Sequence, residues 1–261
     1  MTSPAPVRRL PHPALRDTLS KGYGGWVRPD DRTGRFVLPA SLSVQMLIKV
    51  EDSAVRPPEF VNGVQEAHST IEGGCAPRYL QIDLSPLGAY QVFGVPADHL
   101  TGRLVDLHDV LGADARRLGE RVRDLPRWTD RFDLLDRFFL ARLRAAPAVS
   151  AEVRFAWRRL TETAGTVAIG EICREIGWSH KHLITRFRQQ VGLTPKRAAR
   201  ITRFEHLLSR LARERSRPDW DQLAATAGYA DQAHMIRDFR QFFGTSPAAH
   251  LKAPQVKSVQ N

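Results

Sequence analysis

The spacing of apolar positions changes partway along the chain. Over residues 42–50 it alternates, with Leu42, Val44, Met46, Ile48 and Val50 on one face and Ser43, Gln45 and Lys49 among those on the other. Period two marks a half-buried strand. Residues 79–84 repeat it, with Leu80, Ile82 and Leu84 inward. Pro57, Pro58, Gly63, Gly73 and Gly74 lie between the two segments and suit turns, so residues 20 to about 85 are expected to form a small β-sheet or partial barrel. The Pro-rich first twenty residues are expected to be irregular or loosely packed.

Past Pro86 the period becomes helical. Residues 107–111 and 114–122 read as short helices. Over 128–143, Trp128, Phe132, Leu135, Phe139 and Leu143 recur at three- and four-residue steps, as on a helix packed against the sheet. A dimerisation helix is the alternative reading of that segment. Ala145-Ala146-Pro147-Ala148 then marks a linker.

Beyond residue 151 every segment reads as helix. Val153, Trp157 and Leu160 define the first, and Ile169, Ile172, Cys173 and Ile176 the second, which Gly177 stops. Ser179 caps a third with Leu183, Phe187 and Val191 inward. Thr194-Pro195 opens a long fourth helix that is expected to run to about Arg215 through Ala198, Ile201, Phe204 or Glu205, Leu208 and Leu211. After Pro218, Trp220, Leu223, Ala224 and Ala227 make a fifth, residues 231–243 a sixth, and Ser246-Pro247 opens a short last one.

Two of these stretches are copies of each other. Residues 177–195 read GWSHKHLITRFRQQVGLTP and residues 228–247 read GYADQAHMIRDFRQFFGTSP. Each opens on glycine and an aromatic, passes through Phe-Arg-Gln, and closes on glycine followed by Thr-Pro or Ser-Pro. A repeat of this kind outranks a single motif. A short helix, a glycine-containing turn and a second amphipathic helix make a helix-turn-helix, and the chain carries two. The second helix of such a unit enters the major groove. A fourth helix of about 21 residues would span roughly 30 Å, close to the ~34 Å between successive major-groove faces.

Charge agrees with that division. The net charge is +11, but residues 1–151 hold 20 basic and 18 acidic side chains, whereas the remainder holds 19 and 10. A basic half joined to a near-neutral one points to a polyanionic partner for the basic half. Cys75 and Cys173 are far apart and indicate neither a disulfide framework nor a zinc site. No apolar run approaches the ~18 residues of a membrane span and the N-terminus lacks an apolar signal core, so the expectation is a cytoplasmic protein with no membrane partner.

The paired motifs resemble the DNA-binding domain of AraC/XylS-type transcription regulators. The resemblance covers about residues 152–252: Gly-aromatic-Ser, Leu, Phe-Arg and Gly-x-Thr-Pro in the first unit, and Gly-Tyr-x-Asp-Gln, Arg237-x-Phe239-Arg240 and Gly-x-Ser-Pro in the second. It implies a bi-lobed domain that reads two adjacent major-groove segments. The N-terminal half looks like the less uniform effector-binding or dimerising domains of that family. Carried over by position, the resemblance places base readers at Lys181, Ile184 and Thr185, with His180 and Arg188 nearby, and at Gln232, Ala233, Ile236 and Arg237 in the second unit. Gln232 suits adenine, Arg237 guanine, and isoleucine a thymine methyl. Arg186, Arg188, Arg240 and Lys196 are assigned to phosphates. Thr185 departs from the arginine common at its position in the family, with Arg186 standing one place later.

Other classes find less support. His68, His99 and His108 are scattered, His68 beside Glu66 is the sole pair worth considering for a metal, and GxSxG, P-loop and GxGxxG motifs are absent. No catalytic residue, metal or cofactor is expected. A non-specific architectural DNA binder is the competing function, and an N-terminal half that only contacts itself or another protein is a further possibility. The expected fold is an α+β N-terminal domain at 1–147, a small β-sheet or partial barrel with helices. An all-α domain with two helix-turn-helix units follows at 148–254, and a tail at 255–261. The partners implied are double-stranded DNA, a small-molecule effector, a second copy in a homodimer, and RNA polymerase if transcription is raised.

Overall fold

A computed structural model describes residues 6–27, 35–51, 57–72, 78–213 and 218–252. Eight strands come in the order β1 (Val7–Arg9), β2 (Leu19–Val27), β3 (Arg35–Leu38), β4 (Val44–Lys49), β5 (Glu59–Asn62), β6 (Ser69–Glu72), β7 (Arg78–Leu84) and β8 (Leu104–Asp106). Six of them form one antiparallel sheet in the order β1-β2-β7-β4-β5-β8, and β3 pairs with β6 alone. The helices of this half are α1 (Pro86–Phe93), α2 (Leu107–Leu111), α3 (Ala113–Asp124) and α4 (Trp128–Arg144).

Register explains how the sheet holds its helices. Tyr23, Ile82 and Met46 stand opposite one another across three strands, as do Gly25, Leu80 and Ile48. Opposed residues share a face, so this face is a continuous apolar surface. Tyr23 stacks on Phe132 and Phe139 of α4, with ring centroids 5.7 and 6.4 Å apart. A Cβ on Gly25 would stand 2.6 Å from the Trp128 ring, so only glycine lets that indole lie on the sheet. The outer face of α4 presents Thr129, Asp133, Arg137, Ala141 and Arg144 to solvent, with no apolar stripe.

Two expectations need correction. The strand over 42–50 was expected to be half-buried, but Gln45, Lys49, Gln81 and Asp83 on its polar face and that of β7 are buried as well. Part of this polar surface is satisfied internally: Gln45 and Gln81 both donate to the Asp83 carboxylate, at 3.4 and 3.1 Å. The first twenty residues are not all irregular either. Val7–Arg9 forms the edge strand β1, Arg9 makes ion pairs with Asp133 and Asp136 of α4, and Leu15 is fully buried. A three-residue strand between prolines is too short to show a period. Cys75, Gly73, Gly74 and the tail 255–261 lie outside the described residues.

Among the described residues the second half contains only helices and their connections: α5 (Ala151–Glu162), α6 (Ile169–Ile176), α7 (His180–Val191), α8 (Pro195–Leu211), α9 (Trp220–Thr226), α10 (Gln232–Phe243) and α11 (Pro247–Lys252). The long helix α8 stops at Leu211, short of the expected Arg215. Leu211 is its last buried residue, and beyond it the sequence turns polar, so burial no longer rewards another turn. Its 17 residues give a rod of about 25 Å. Cys173 is buried, which raises its thiol pKa and suits a small core residue.

The two halves share one hydrophobic core. The segment between α4 and α5 is packed, since Val149 is buried and the Ser150 amide donates to Gln190 Oε1 of α7 at 3.2 Å. Loops of the N-terminal half then grip the C-terminal ends of both α7 and α10. Thr101 Oγ1 donates to the Gly192 carbonyl at 2.9 Å, and the Ala40 amide to the Phe242 carbonyl at 2.8 Å. His68 contacts the Gln241 carbonyl through Nδ1 at 3.0 Å, and Glu66 pairs with Arg197 at 2.7 Å. The pair considered for a metal therefore lies at this junction, and no group of three or more potential metal ligands occurs among the described residues.

At the centre of the junction, Glu205 of α8 accepts from the Leu42 amide and Ser41 Oγ, both at 3.1 Å. Desolvation raises its pKa above the ordinary carboxylate value, against the lowering effect of these hydrogen bonds. A raised acid binds its proton more tightly folded than unfolded. Its contribution is therefore complete below the unfolded value and declines as pH rises through the folded one.

Glu205→Gln is expected to flatten this part of the pH–stability profile and to melt no lower than the parent at neutral pH. Glu205→Ala, which orphans the Leu42 amide and Ser41 hydroxyl, should cost about 1–3 kcal/mol by denaturant titration. Gly192→Ala is expected to be worse than Gly177→Ala. Both glycines have positive φ, but a Cβ on Gly192 meets Thr101 Oγ1 at 2.7 Å, whereas one on Gly177 meets nothing within 4 Å. The expected costs are about 2–4 and about 1 kcal/mol.

Candidate nucleic-acid interface

Helices α7 and α10 are built to one plan. Each has 12 residues. Each begins on a side-chain cap, Ser179 accepting from the His182 amide at 3.2 Å and Asp231 from the His234 amide at 2.6 Å. Each ends on a left-handed glycine, Gly192 or Gly244, whose amide donates to the carbonyl of Arg188 or Arg240. Thr194-Pro195 and the corresponding Ser246-Pro247 then open the next helix. The turns differ: three residues, 177–179, separate α6 from α7, and five, 227–231, separate α9 from α10.

Burial sorts the side chains of each helix. Leu183, Phe187 and Val191 are buried on α7, and Met235, Phe239 and Phe242 on α10. Opposite lies one stripe on each: His180, Lys181, Ile184, Thr185 and Arg188 on α7, and Gln232, Ala233, Ile236, Arg237 and Arg240 on α10. The members correspond one to one. All five on α7 are exposed; on α10, Gln232 and Ile236 are half-buried and the others exposed. Ile184 is 39% exposed, an apolar side chain offered to the outside.

The cations in these stripes are held differently. Lys181, Arg237 and Arg240, with Lys196 on α8, make no ion pair among the described residues. Arg188 lies 3.9 Å from Asp98 of the N-terminal half, and the Thr185 hydroxyl donates to the Lys181 carbonyl of its own helix. Arg186 stands apart from the stripe. At about 100° per residue it lies on the far flank of α7, half-buried, where it donates to Gln189 Oε1 at 3.0 Å.

The sequence assigns Lys196 to a phosphate but not Arg200 and Arg203, with which it forms a cationic stripe on α8. Lys196, Arg200 and Arg203 follow one another at i, i+4 and i+7, a spacing that was available as a signal. Arg200 bonds the buried Asp238 at 2.6 Å and Gln241 Oε1 at 2.7 Å, and Arg203 donates to the Gly165 carbonyl at 2.8 Å. Tyr229, under the Arg203 guanidinium, has its pKa raised by burial and by Asp238.

This arrangement is that of a double helix-turn-helix. Residues 172–253 match the family model described as a helix-turn-helix domain, and that part of the chain is an AraC-type helix-turn-helix domain. No curated protein sequence matches the chain. Among solved structures it is similar to ToxT from Vibrio cholerae, at 12% identity over 88% of this chain and 97% of that one, with a TM-score of 0.46. An apo ToxT variant gives 13%, 90%, 98% and 0.47. ToxT bound to an unsaturated fatty acid gives 12%, 88%, 94% and 0.41. No described helix is long and apolar enough to cross a membrane.

Ala233→Arg is expected to strengthen binding to duplexes of any sequence, by about two- to tenfold, because it adds a cation to an exposed stripe position. A titration of random-sequence duplex at constant salt checks it.

Proposed function

We propose that this protein is a sequence-specific DNA-binding transcription regulator whose two reading helices enter adjacent major-groove segments. The observation that carries the reading is the matched stripe on α7 and α10, the same five positions presented on two identically capped helices that both pack on α8. A stripe with cations at its edge and short side chains within it can lie in a groove about 12 Å wide.

The second unit supplies the stronger reading chemistry. Arg237 is exposed and makes no ion pair among the described residues, and it has the fork needed to address guanine O6 and N7 together. Gln232, in the first turn of α10, has the donor and acceptor needed for adenine. The first unit offers Ile184 for a thymine methyl and Lys181 for a phosphate or a guanine. Arg188, Arg240 and Lys196 serve phosphates in this reading, and His180 and Ala233 sit in the first turns of their helices beside the readers.

The N-terminal half regulates by its hold on both helices. Its loops bond the C-terminal ends of α7 and α10 and the middle of α8, so a ligand or partner that shifts those loops changes the relative placement of the readers. Such a ligand acts only through a difference in affinity for the two placements.

Selection from randomised duplexes should enrich a site with two half-elements about one helical turn apart. Absence of any enriched motif would favour a charge-driven architectural binder instead. On the selected site Arg237→Ala is expected to cost about 1–3 kcal/mol and to relax preference at one position, with a smaller loss on random duplex. Equal proportional loss on both would remove Arg237 from the base readers.

A further inference from the structure

The two helix-turn-helix units enclose a cleft of about 740 Å³ between them. Its walls come from three places: the segment 165–169 that leads into α6, the Lys196, Arg200 and Arg203 stripe of α8, and the His234, Arg237 and Asp238 side of α10. Four cations therefore face a single carboxylate, and that carboxylate already serves Arg200. Lys196 and Arg237 have no ion-pair partner among the described residues.

Three further features show polar capacity in this cleft that the protein leaves unused. The buried Nε of Arg203 has no hydrogen-bond partner. The side chain of Asp238 is 4% exposed, yet its Oδ2 accepts no hydrogen bond, and His234 Nε2 lies 3.9 Å from it. Helix α6 also begins at the cleft without a cap. Ala168 stands at its N-cap with no acceptor to offer, whereas Ser179, Thr194, Asp219 and Asp231 cap α7, α8, α9 and α10. An uncapped first turn presents backbone N–H groups and a positive dipole end to whatever lies before it.

We infer that this cleft is a phosphate cradle for the DNA backbone that passes between the two grooves being read. The inference rests on the DNA-binding reading above and adds to it a third contact region, lying between the helices rather than on them. Two adjacent major-groove segments on one face of a duplex are separated by a minor groove bordered by phosphates. Whatever lies between the two readers must therefore be backbone. Arg237 belongs both to the exposed stripe of α10 and to the cleft wall, so the cleft opens onto the reading face. A phosphate seated there would meet Lys196, the first amides of α6 and the Arg203 edge.

Two substitutions in the full chain test this. Lys196→Ala removes an exposed cation. Ala168→Asp places a negative charge at the cleft mouth while giving α6 the cap it lacks. Each is expected to weaken binding to a selected duplex and to a random one by the same factor, about three- to tenfold near 0.15 M salt, with Lys196→Ala lowering the slope of log K against log salt by about one. Ala168→Asp is expected at the same time to leave the melting temperature unchanged or to raise it by about 2–4 °C, which a change that merely damaged the domain would not do. If the parent binds both duplexes and the two variants bind them as tightly with the same salt slope, the cradle is overturned and the DNA reading stands. A loss confined to the selected duplex makes these positions base readers and overturns the cradle too. If the parent binds no duplex, both readings fall together.

Discussion

Helix α8 must satisfy two helix-turn-helix units and a β-sheet half at once, and the rest of the molecule is arranged around that demand. Phe204 is fully buried and lies edge-on to Phe239 and tilted against Phe242 of α10, at 5.5 and 5.3 Å between centroids. Ile201 and Leu207 are buried in the same core. One residue on from Phe204, Glu205 reaches the N-terminal half, and the Lys196, Arg200 and Arg203 stripe faces the cleft between the units. A helix offers only about 360° to its neighbours. An apolar sector, a docking sector and a cationic sector leave α8 little surface without an assignment.

Helices α7 and α10 are alike in construction and unlike in commitment. On α7 the arginine nearest the N-terminal half is drawn toward Asp98, and Thr185 spends its hydroxyl on its own backbone. On α10 neither stripe arginine makes an ion pair among the described residues, and the turn that precedes it is longer. The first unit is thus more closely tied to the N-terminal half through its side chains, and the stripe of the second is less engaged within the protein. Both are held at their C-terminal ends, where Gly192 and Gly244 let loops of the other half approach closer than a Cβ would allow. The same glycines close the two repeats, so one residue type serves helix termination and domain docking together.

Much of this was open to reading from the chain. Local rules sufficed for the helices of the second half, because Ser179, Thr194 and Asp231 are capping residues, Gly177, Gly192 and Gly244 are stop residues, and the apolar steps between them have period 3.6. The repeat located both candidate readers and the stripe each would present. Strands β4 and β7 announced themselves by alternation. Edge strand β1 did not, since pairing with β2 and the Arg9 contacts to α4 hold it in place, and neither leaves a local pattern.

What the sequence determined by itself was therefore the periodic and the capped: element type, the doubled unit, the excess charge on its half, and which side chains of α7 and α10 face outward. Those properties depend on neighbours within a few residues, and the chain spells them out. Only the tertiary structure decided that Glu66 and His68 meet α8 and α10 at the junction of the two halves, and that Glu205 docks on residues 41–42. It likewise revealed that Arg186 turns away from the stripe and that segment 165–169, α8 and α10 converge on one cationic cleft. These outcomes turn on the approach of residues dozens to more than a hundred positions apart, where desolvation and steric fit between distant surfaces, rather than local preference, set the energy.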